Sequence, residues 1–540
     1  MKYCLTAFLS VFIASSSLAQ EFQISKGTDL TEIFYSSIQL PDKSYISCGL
    51  ASGYGEGGLN MLATRTNSIG ETMWTKVYTS GGNEDMRSMD MAPDGSIYSC
   101  GYTYTPKGNI QIAYTKINTD GSIAFSKQFG GAQGDAGEEL VAIPDGGFAV
   151  LGSTQSYNHT PDSDCILTRF DSEGELLWAT GFGTASGESP KSLSITQNGH
   201  FLVSATYRPD PEEGLKTMIS VLDSNGQLVR SLHIGHGPDN DIARGVIGFN
   251  GGYLIFGETY NTSTGSTEVF FVHTDLDFNV IWQKMFGGDL YEHITAAVAD
   301  DENTFTVCGQ TSTLGAGGVD GYIAQFDNTG EIIWMKTYGG DSKDIFFNLL
   351  PTSDDGYIIS GYNRSFTSSF SNAWIIKTNE RGDCACNQSA ATTLPTYGVS
   401  LDIQLMEVSS YPIDDTPTDW ELTTLNAEDI FSDLICSFGI EEDGTDSTDE
   451  VTSVSEGNSN IQLEVYPNPS EGMVYLTMPN ITEDQTLQVY SLSGKLITRK
   501  HIPATYDDLY PLDLSDLGVG VYIIQMVWSG GVYSKRLSIK

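Results

Sequence analysis

The sequence predicts an all-β fold, and three observations support this prediction. A short stretch, read most clearly as Trp334–Gly340, recurs about every 52 residues. An Asp/Asn-x-x-Gly turn precedes almost every copy, and runs of β-branched and aromatic residues lie between the copies. The chain also contains 58 glycines and 11% aromatic residues, a mixture typical of many short strands joined by tight turns.

Seven copies of the stretch define seven structural units. Its aromatic position holds Phe22, Trp74, Phe125, Trp178, Arg230, Trp282 and Trp334. The preceding turn ends in Gly70, Gly121, Gly174, Gly226, Gly330 and Gly382, with Phe278 as the exception. Four predicted strands per repeat are typical of a β-propeller blade. We therefore predict a seven-bladed β-propeller over residues 20–383, with an open superhelical array of the same repeats as the alternative.

The two ends of the repeat region predict how the ring closes. The chain enters at Phe22–Ser25, which matches a fourth strand, and it leaves the last repeat after a third strand, near Asn379. We expect residues 21–26 to complete the seventh blade, so that the ring is closed by the chain ends without an open sheet edge.

The repeats resemble those of secreted bacterial propellers with a W-x-K-x-Y/F-G-G pattern. The spacing Asp171-x-x-Gly174-x-x-x-Trp178 also resembles the tryptophan-docking repeat of quinoprotein propellers, a family that implies pyrroloquinoline quinone and calcium. The chain has seven repeats rather than eight and lacks the adjacent cysteine pair of many such enzymes. We therefore expect shared blade packing and no shared cofactor.

Charge and hydropathy limit the partners. The chain has 27 basic and 69 acidic residues, a net charge of −42, which repels nucleic acid and anionic lipid. Residues 1–19 have the pattern of a secretory signal peptide: Lys2, an apolar run over 5–14, and a small-residue cleavage site ending at Ala19. No other run approaches the roughly 20 apolar residues of a spanning helix, so we expect no membrane-spanning segment.

Three further segments follow the repeats. Residues 384–438 are predicted to form a small β-rich appendage, and residues 439–460 an acidic flexible linker. Residues 461–540 contain Val465–Gly472, Val489–Leu496 and Leu512–Tyr522, which closely resemble the C-terminal sorting domain of type IX secretion substrates. The resemblance implies an antiparallel β-sandwich recognised by the type IX secretion machinery. We expect an extracellular or cell-surface protein secreted across the outer membrane.

The cysteines divide into two groups. Cys48, Cys100 and Cys308 occupy one repeat position and are expected to be buried thiols. Cys384, Cys386 and Cys436 lie outside the repeats. In an oxidising compartment, we expect a disulfide from Cys384 or Cys386 to Cys436.

A polar residue stands ten residues after each aromatic position, in the loop that enters the next blade. These residues are Glu32, Glu84, Asp135, Glu188, Asn240, Glu292 and Asp344. One interpretation is that each side chain accepts backbone N–H bonds and fixes its own loop. The other is a convergent acidic ring that binds a cation or a hydroxylated or basic ligand. We predict no cofactor, with calcium as the alternative.

The sequence contains no recognisable catalytic signature, neither a zinc helix, a nucleophile elbow nor a phosphate loop. We therefore predict a secreted, non-catalytic binding propeller for an unknown extracellular glycan or protein. The alternative is an extracellular hydrolase or lyase that acts on polysaccharide or peptide through loop-face carboxylates.

Overall fold

The structure is a computed structural model that describes two stretches of the chain. The first is 21–437 without 55–57, 106–107, 145, 158–161, 197, 211–212, 261–264, 367–369, 385–387, 391–393 and 428–429. The second is 464–539 without 467–472, 478–484, 492–495, 503–508, 515–519 and 529–530. The predicted signal peptide and linker lie outside these residues. The chain divides into two compact units, Met1–Ile440 and Glu441–Lys540.

Every element in the described residues is a β-strand, and the first unit consists of seven antiparallel sheets. We number these sheets as blades 1 to 7 along the chain. Blade 1 contains β2 (Glu32–Gln39), β3 (Tyr45–Ser52), β4 (Leu59–Thr66) and β5 (Thr72–Thr79). Blade 2 contains β6 (Glu84–Met91), β7 (Ile97–Tyr104), β8 (Ile110–Ile117) and β9 (Ile123–Phe129). Blade 3 contains β10 (Asp135–Ala142), β11 (Phe148–Thr154), β12 (Asp164–Phe170) and β13 (Leu176–Gly183). Blade 4 contains β14 (Glu188–Ile195), β15 (Phe201–Tyr207), β16 (Lys216–Leu222) and β17 (Leu228–Gly235). Blade 5 contains β18 (Asn240–Phe249), β19 (Gly252–Tyr260), β20 (Thr267–Asp275) and β21 (Val280–Phe286). Blade 6 contains β22 (Glu292–Ala299), β23 (Thr304–Thr311), β24 (Asp320–Asp327) and β25 (Ile332–Tyr338). Blade 7 contains β26 (Ile345–Pro351), β27 (Tyr357–Asn363), β28 (Asn372–Thr378) and β1 (Phe22–Gly27).

The prediction of a closed seven-bladed propeller is confirmed. The first strand of each blade contacts the first strands of both neighbouring blades, and β26 contacts β2, so these strands surround the central channel. The N-terminal strand β1 pairs antiparallel with β28, with Phe22 opposite Lys377 and Ser25 opposite Trp374. The first residues of the propeller thus supply the fourth strand of blade 7, as the repeat register predicts.

Neighbouring blades meet where the aromatic position of one blade packs on the turn glycine of the next. Gly226 of blade 4 has a φ of +77°, and a Cβ built on it would lie 2.6 Å from the ring of Trp178 in blade 3. The indole N–H of Trp178 also donates to the Ser224 carbonyl in the same turn. Equivalent contacts join Phe22 to Gly70, Trp74 to Gly121, Phe125 to Gly174, Trp282 to Gly330 and Trp334 to Gly382. Glycine is therefore needed here both for its backbone conformation and for the close approach of the ring.

The two exceptions in the repeat face each other. Arg230 holds the aromatic position of blade 4, and Phe278 holds the glycine position of blade 5. The Arg230 guanidinium lies 5.8 Å from the centre of the Phe278 ring, and its Nη1 donates to the Asp277 carbonyl at 2.8 Å. Phe278 retains the positive φ of the turn, +64°. In this pair the aromatic ring lies at the turn position and not at the aromatic position of the repeat. The two blades still make an interblade contact, here a cation–π contact.

The segment predicted as a small β-rich appendage contributes its strands to the propeller sheets. These strands are β29 (Gln388–Ala390), β30 (Thr396–Gly398), β31 (Asp402–Leu405), β32 (Ser409–Pro412), β33 (Thr418–Asp419), β34 (Thr423–Asn426) and β35 (Phe431–Ser437). They pair in order with the outer strands of blades 6, 5, 4, 3, 2, 1 and 7. Residues 388–437, which we call the belt, thus encircle the ring against the order of the blades and give each sheet a fifth strand.

The belt has a seven-residue period that matches the spacing of the blades. The backbone N–H groups of Met406, Ile413, Trp420 and Ala427 donate to Ser231, Ala179, Ser126 and Thr75, which directly follow the aromatic positions of blades 4 to 1. Apolar belt residues also enter the clusters at the blades. Trp420, for example, is 8% exposed and packs with Ile46 and Tyr78. The belt therefore combines hydrogen bonds to the outer sheet edges with burial of its own side chains.

The second unit contains two antiparallel sheets. The three-stranded sheet consists of β36 (Glu464–Tyr466), β37 (Met473–Thr477) and β40 (Leu509–Asp513). The four-stranded sheet consists of β39 (Leu496–Ile502), β38 (Gln485–Ser491), β41 (Gly520–Trp528) and β42 (Gly531–Ile539). Val474 and Leu512 of the first sheet and Val489 and Ile524 of the second belong to one buried cluster.

Changing the exceptional pair to the common residues tests the interblade contact. Arg230→Trp alone should destabilise the protein, because the new indole meets the Phe278 side chain. The double variant Arg230→Trp/Phe278→Gly should recover stability, with a favourable coupling of about 0.5–3 kcal/mol between the two sites. Denaturant unfolding of wild type, both single variants and the double variant measures this coupling. Strictly additive effects would contradict the contact.

Trp420→Ala tests whether the belt stabilises the ring. Because Trp420 is almost fully buried against blades 1 and 2, its loss should cost about 3–5 kcal/mol and lower the melting temperature. The neighbouring Glu421 is exposed, so Glu421→Ala is the matched control and should change stability by less than about 0.5 kcal/mol. Equal melting temperatures for the two variants would mean that the belt is only loosely attached.

Candidate functional site

The six predicted loop carboxylates are buried at the starts of the first strands. Each accepts a backbone N–H from the loop that precedes it. The donor–acceptor pairs are Thr28–Glu32 (3.0 Å), Gly82–Glu84 (3.1 Å), Gly131–Asp135 (2.8 Å), Thr184–Glu188 (3.0 Å), Gly288–Glu292 (2.8 Å) and Gly340–Asp344 (3.0 Å). None of the six is more than 1% exposed. These contacts are those of the loop-fixing interpretation, whereas ligand or calcium binding by this ring stays a prediction.

Some of these carboxylates also hold the facing loop of their own blade. Asp135 accepts the hydroxyl hydrogens of Thr154 and Ser156, both at 2.6 Å. Asp344 accepts the backbone N–H groups of Arg364 and Ser365, at 3.0 and 3.2 Å. One carboxylate thus joins the loop between blades to the loop between the second and third strands.

In blade 5 the residue with this role is displaced by one position from the predicted Asn240. The Asn240 side chain accepts the Leu215 N–H at 2.8 Å. Asp241 is fully buried and accepts the His236 N–H at 2.7 Å and the Lys216 ammonium at 2.9 Å. The constant spacing from the aromatic position does not show this shift. In blade 5 the loop before β18 is built around the additional Lys216–Asp241 ion pair, and Asp241 therefore takes the role expected of Asn240.

Two of the buried carboxylates lie beside a second carboxylate from the preceding blade. Burial, reinforced by Asp164, raises the pKa of Glu188 to about 7. Burial, reinforced by Asp344, raises the pKa of Asp320 to about 6. At these two blade junctions the protonated form of one carboxyl is favoured, because two adjacent buried charges repel each other.

A second ring of residues, which the sequence analysis did not identify, lies at the central channel. Every first strand has a β-bulge at the same place, where one residue has no register partner on the second strand. These residues are Tyr35, Arg87, Glu138, Lys191, Arg244, Thr295 and Phe347. All seven are partly exposed although they lie on the innermost strands. Bulges redirect side chains and are common beside functional sites, so we call this set the bulge ring.

The bulge ring has a charged side on blades 2 to 5. The Arg87 guanidinium pairs with Glu138 and also binds Asp85 at 3.0 Å. Arg244 binds Glu258 through two hydrogen bonds of 2.9 and 3.0 Å. Burial raises the pKa of Asp85 to about 6, whereas Glu258 keeps a pKa below its usual value because His293 and Arg244 offset its burial.

Lys191 is the remaining cation of this side. Burial, together with Arg244, lowers its pKa. Among the described residues, no hydrogen bond or ion pair reaches its ammonium group. Three cations therefore lie close together at the axis of a strongly acidic protein, and among the described residues Lys191 has acidic neighbours in Glu138 and Glu258 but no hydrogen-bonded acidic partner.

The other side of the bulge ring is aromatic. The rings of Tyr35 in blade 1 and Phe347 in blade 7 lie 5.1 Å apart, and Tyr362 lies 5.9 Å from Phe347. Blade 4, which carries Lys191, is opposite the junction of blades 7 and 1 in a ring of seven. The channel thus presents an ammonium group on one side and two aromatic rings on the other.

The predicted cysteines have different outcomes. Cys48, Cys100 and Cys308 are buried thiols. The Gln23 side chain donates to Cys384 Sγ at 2.8 Å, and Gln23 is the register partner of Cys436 in β35. Cys384, which precedes the belt, and the last belt strand therefore meet at one residue of β1. Cys386 and the Cys436 side chain lie outside the described residues, and the disulfide stays a prediction.

Glu188→Gln tests the raised pKa at the blade junction. The folded state binds this proton more tightly than the unfolded state, whose pKa is about 4.5. The stabilisation is therefore complete below about pH 4 and is lost as the pH rises through about 7. A glutamine stays neutral, so the melting temperature of the variant minus that of the wild type should increase between about pH 5 and pH 8.

The exposed Glu173, in the turn between β12 and β13 of blade 3, provides the control. The difference between Glu173→Gln and wild type should not change with pH, as measured by calorimetry of the whole chain. A constant difference for Glu188→Gln as well would contradict the raised pKa.

Within the described residues, no group of three or more His, Cys, Asp or Glu side chains is placed to hold a metal ion. The same residues contain no helix with the length and apolar character needed to cross a membrane.

Comparisons with known proteins matched more than half of the chain to a relative and the C-terminal unit to a family model. The chain is 20% identical over 387 residues to the "Regulatory protein FlaEY" of Caulobacter vibrioides, an alignment that covers 59% of this chain. The chain spans 40% of the length of that relative. Residues 464–540 match the family model described as "Secretion system C-terminal sorting domain". The predicted type IX sorting domain is thereby confirmed, and this protein is secreted across the outer membrane.

Proposed function

We propose that the protein is a secreted, non-catalytic binding propeller that is exported by the type IX machinery and takes its ligand at the central channel. The observation that carries the proposal is the bulge ring. Its seven equivalent positions hold Tyr35, Arg87, Glu138, Lys191, Arg244, Thr295 and Phe347, all partly exposed. Convergent polar groups beside aromatic side chains in a concave, preformed site are typical of ligand-binding sites.

The loop carboxylates support the same proposal by what they already bind. An enzyme that used them would need exposed carboxyl groups with free oxygens facing the substrate. Glu32, Asp135 and Asp344 are instead buried, with backbone and hydroxyl hydrogen bonds. Their role in holding the loops gives the channel a rigid mouth, which lowers the entropy cost of binding.

A hydrolase or lyase is the second candidate, and one observation favours it. Asp85 and Glu138 both bind Arg87 at the channel, and the pKa of Asp85 is raised to about 6. A carboxyl group with a raised pKa beside a second carboxyl group is an arrangement that acid–base catalysis uses. Such an enzyme would use Glu138, which is partly exposed, with the buried Asp85 as its neighbour on Arg87.

Glycan and peptide arrays probed with the whole chain test the proposal. We expect saturable binding to one ligand class, without a change in the mass of the ligand. Tyr35→Ala should weaken this binding about tenfold, because it removes an aromatic wall of the channel. Tyr397→Ala is the matched control: Tyr397 is 40% exposed on the belt and should not affect binding.

The readouts separate the alternatives. Fragments of lower mass would favour the hydrolase or lyase. Binding that Tyr397→Ala weakens and Tyr35→Ala does not would contradict a channel site, and binding to nothing on either array would contradict the binding function.

A further inference from the structure

We propose that the central channel binds a carboxylate-bearing saccharide, with Lys191 pairing the carboxylate and Tyr35 and Phe347 packing against the sugar ring. The inference rests on the binding function proposed above and specifies the chemical class of its ligand. It follows from the unequal hydrogen bonding of the three channel cations, the position of the aromatic pair and the hydroxyl groups of Tyr35 and Ser189.

The first step is the charge balance at the bulge ring. Arg87 already binds Asp85 and Glu138, and Arg244 already binds Glu258 through two hydrogen bonds. Lys191 is partly buried between these pairs: Glu138 and Glu258 attract its charge, Arg244 and Arg87 repel it, and no described residue accepts a hydrogen bond from its ammonium group. A partly buried ammonium without a hydrogen-bond acceptor costs free energy, and a carboxylate that accepts its hydrogens recovers part of this cost.

The second step is the geometry across the channel. Lys191 belongs to blade 4, and the Tyr35–Phe347 pair belongs to the junction of blades 1 and 7 on the opposite side. The two rings lie 5.1 Å apart at 60° to each other, and both are partly exposed. A ligand that spans the channel therefore meets a cation at one end and apolar ring surface at the other.

The third step favours a hydroxylated acid over a purely apolar one. Tyr35 places a hydroxyl group on the bulge ring, and Ser189 is exposed two residues before Lys191. Thr295 and His293 already bind the Cys308 carbonyl and Glu258. The hydroxyl groups of Tyr35 and Ser189 can donate to and accept from the hydroxyls of a sugar. The net charge of −42 does not oppose such a ligand strongly, because at physiological ionic strength charges more than about 8 Å apart are largely screened.

Calorimetric titration of the whole chain with tetragalacturonate tests the inference, with maltotetraose as the neutral saccharide and hexaglutamate as the acidic peptide. We expect binding of tetragalacturonate only. Lys191→Met should weaken this binding about tenfold to a hundredfold, because a hydrogen bond to a charged group is lost. Lys191→Arg should retain most of it, since the charge is kept.

Lys343→Met is the matched control, because Lys343 is exposed in the loop before blade 7 and the substitution makes the same charge change outside the channel. It should bind as tightly as wild type. Melting temperatures of all variants establish that they are folded, and loss of binding in a folded Lys191→Met protein supports the inference.

Other outcomes would overturn the inference. They are equal binding by wild type and Lys191→Met, a loss of binding with Lys343→Met as large as with Lys191→Met, a preference for maltotetraose or hexaglutamate, and no binding of tetragalacturonate. An array ligand without a carboxylate would overturn the inference and leave the proposed binding function intact, so the two can fail separately.

Discussion

The seven blades hold their places because an aromatic side chain of each blade packs on the turn of the next. Backbone ladders run within each sheet, and backbone bonds between blades, such as that from the Glu188 N–H to the Ser163 carbonyl, add to the side-chain contacts at which the sheets meet. The contact needs a flat ring and a residue without a Cβ at positive φ, as at Trp178 and Gly226. Where one partner differs, the other differs too: Arg230 meets Phe278. This covariation within one chain identifies the contact as the element that the repeat preserves.

Much of the propeller could be predicted because its information is local and repeated. Turn chemistry, strand composition and a period of about 52 residues gave seven blades, and the odd strand at Phe22 gave the closure. The belt could not be predicted in the same way. Its strands are two to seven residues long, and each pairs with an edge that lies far away in the sequence. Its seven-residue period becomes meaningful only when the spacing of the blades is known.

The site was harder to predict than the fold, for a related reason. Glu32 and its equivalents are recognisable by residue type and spacing, but a carboxylate that caps its own loop and one that faces a ligand have the same pattern. Their hydrogen bonds distinguish the two only in three dimensions, as does the shift from Asn240 to Asp241. The bulge ring has no repeated residue type, because its seven positions hold aromatic, basic, acidic and hydroxyl side chains, so the repeat pattern alone does not indicate it.

The bulge positions vary more between blades than the contact positions do, and this difference links the fold to ligand recognition. Positions that keep similar residues in most blades, such as the turn glycines and loop carboxylates, are occupied by contacts that hold the ring together. The bulge positions have no such obligation, because a bulged residue leaves the ladder and its side chain lies at the channel. Identical residues there would give the channel sevenfold symmetry. With Lys191 facing Tyr35 and Phe347, the channel has instead a polar and an aromatic side, which favours a ligand whose two ends differ.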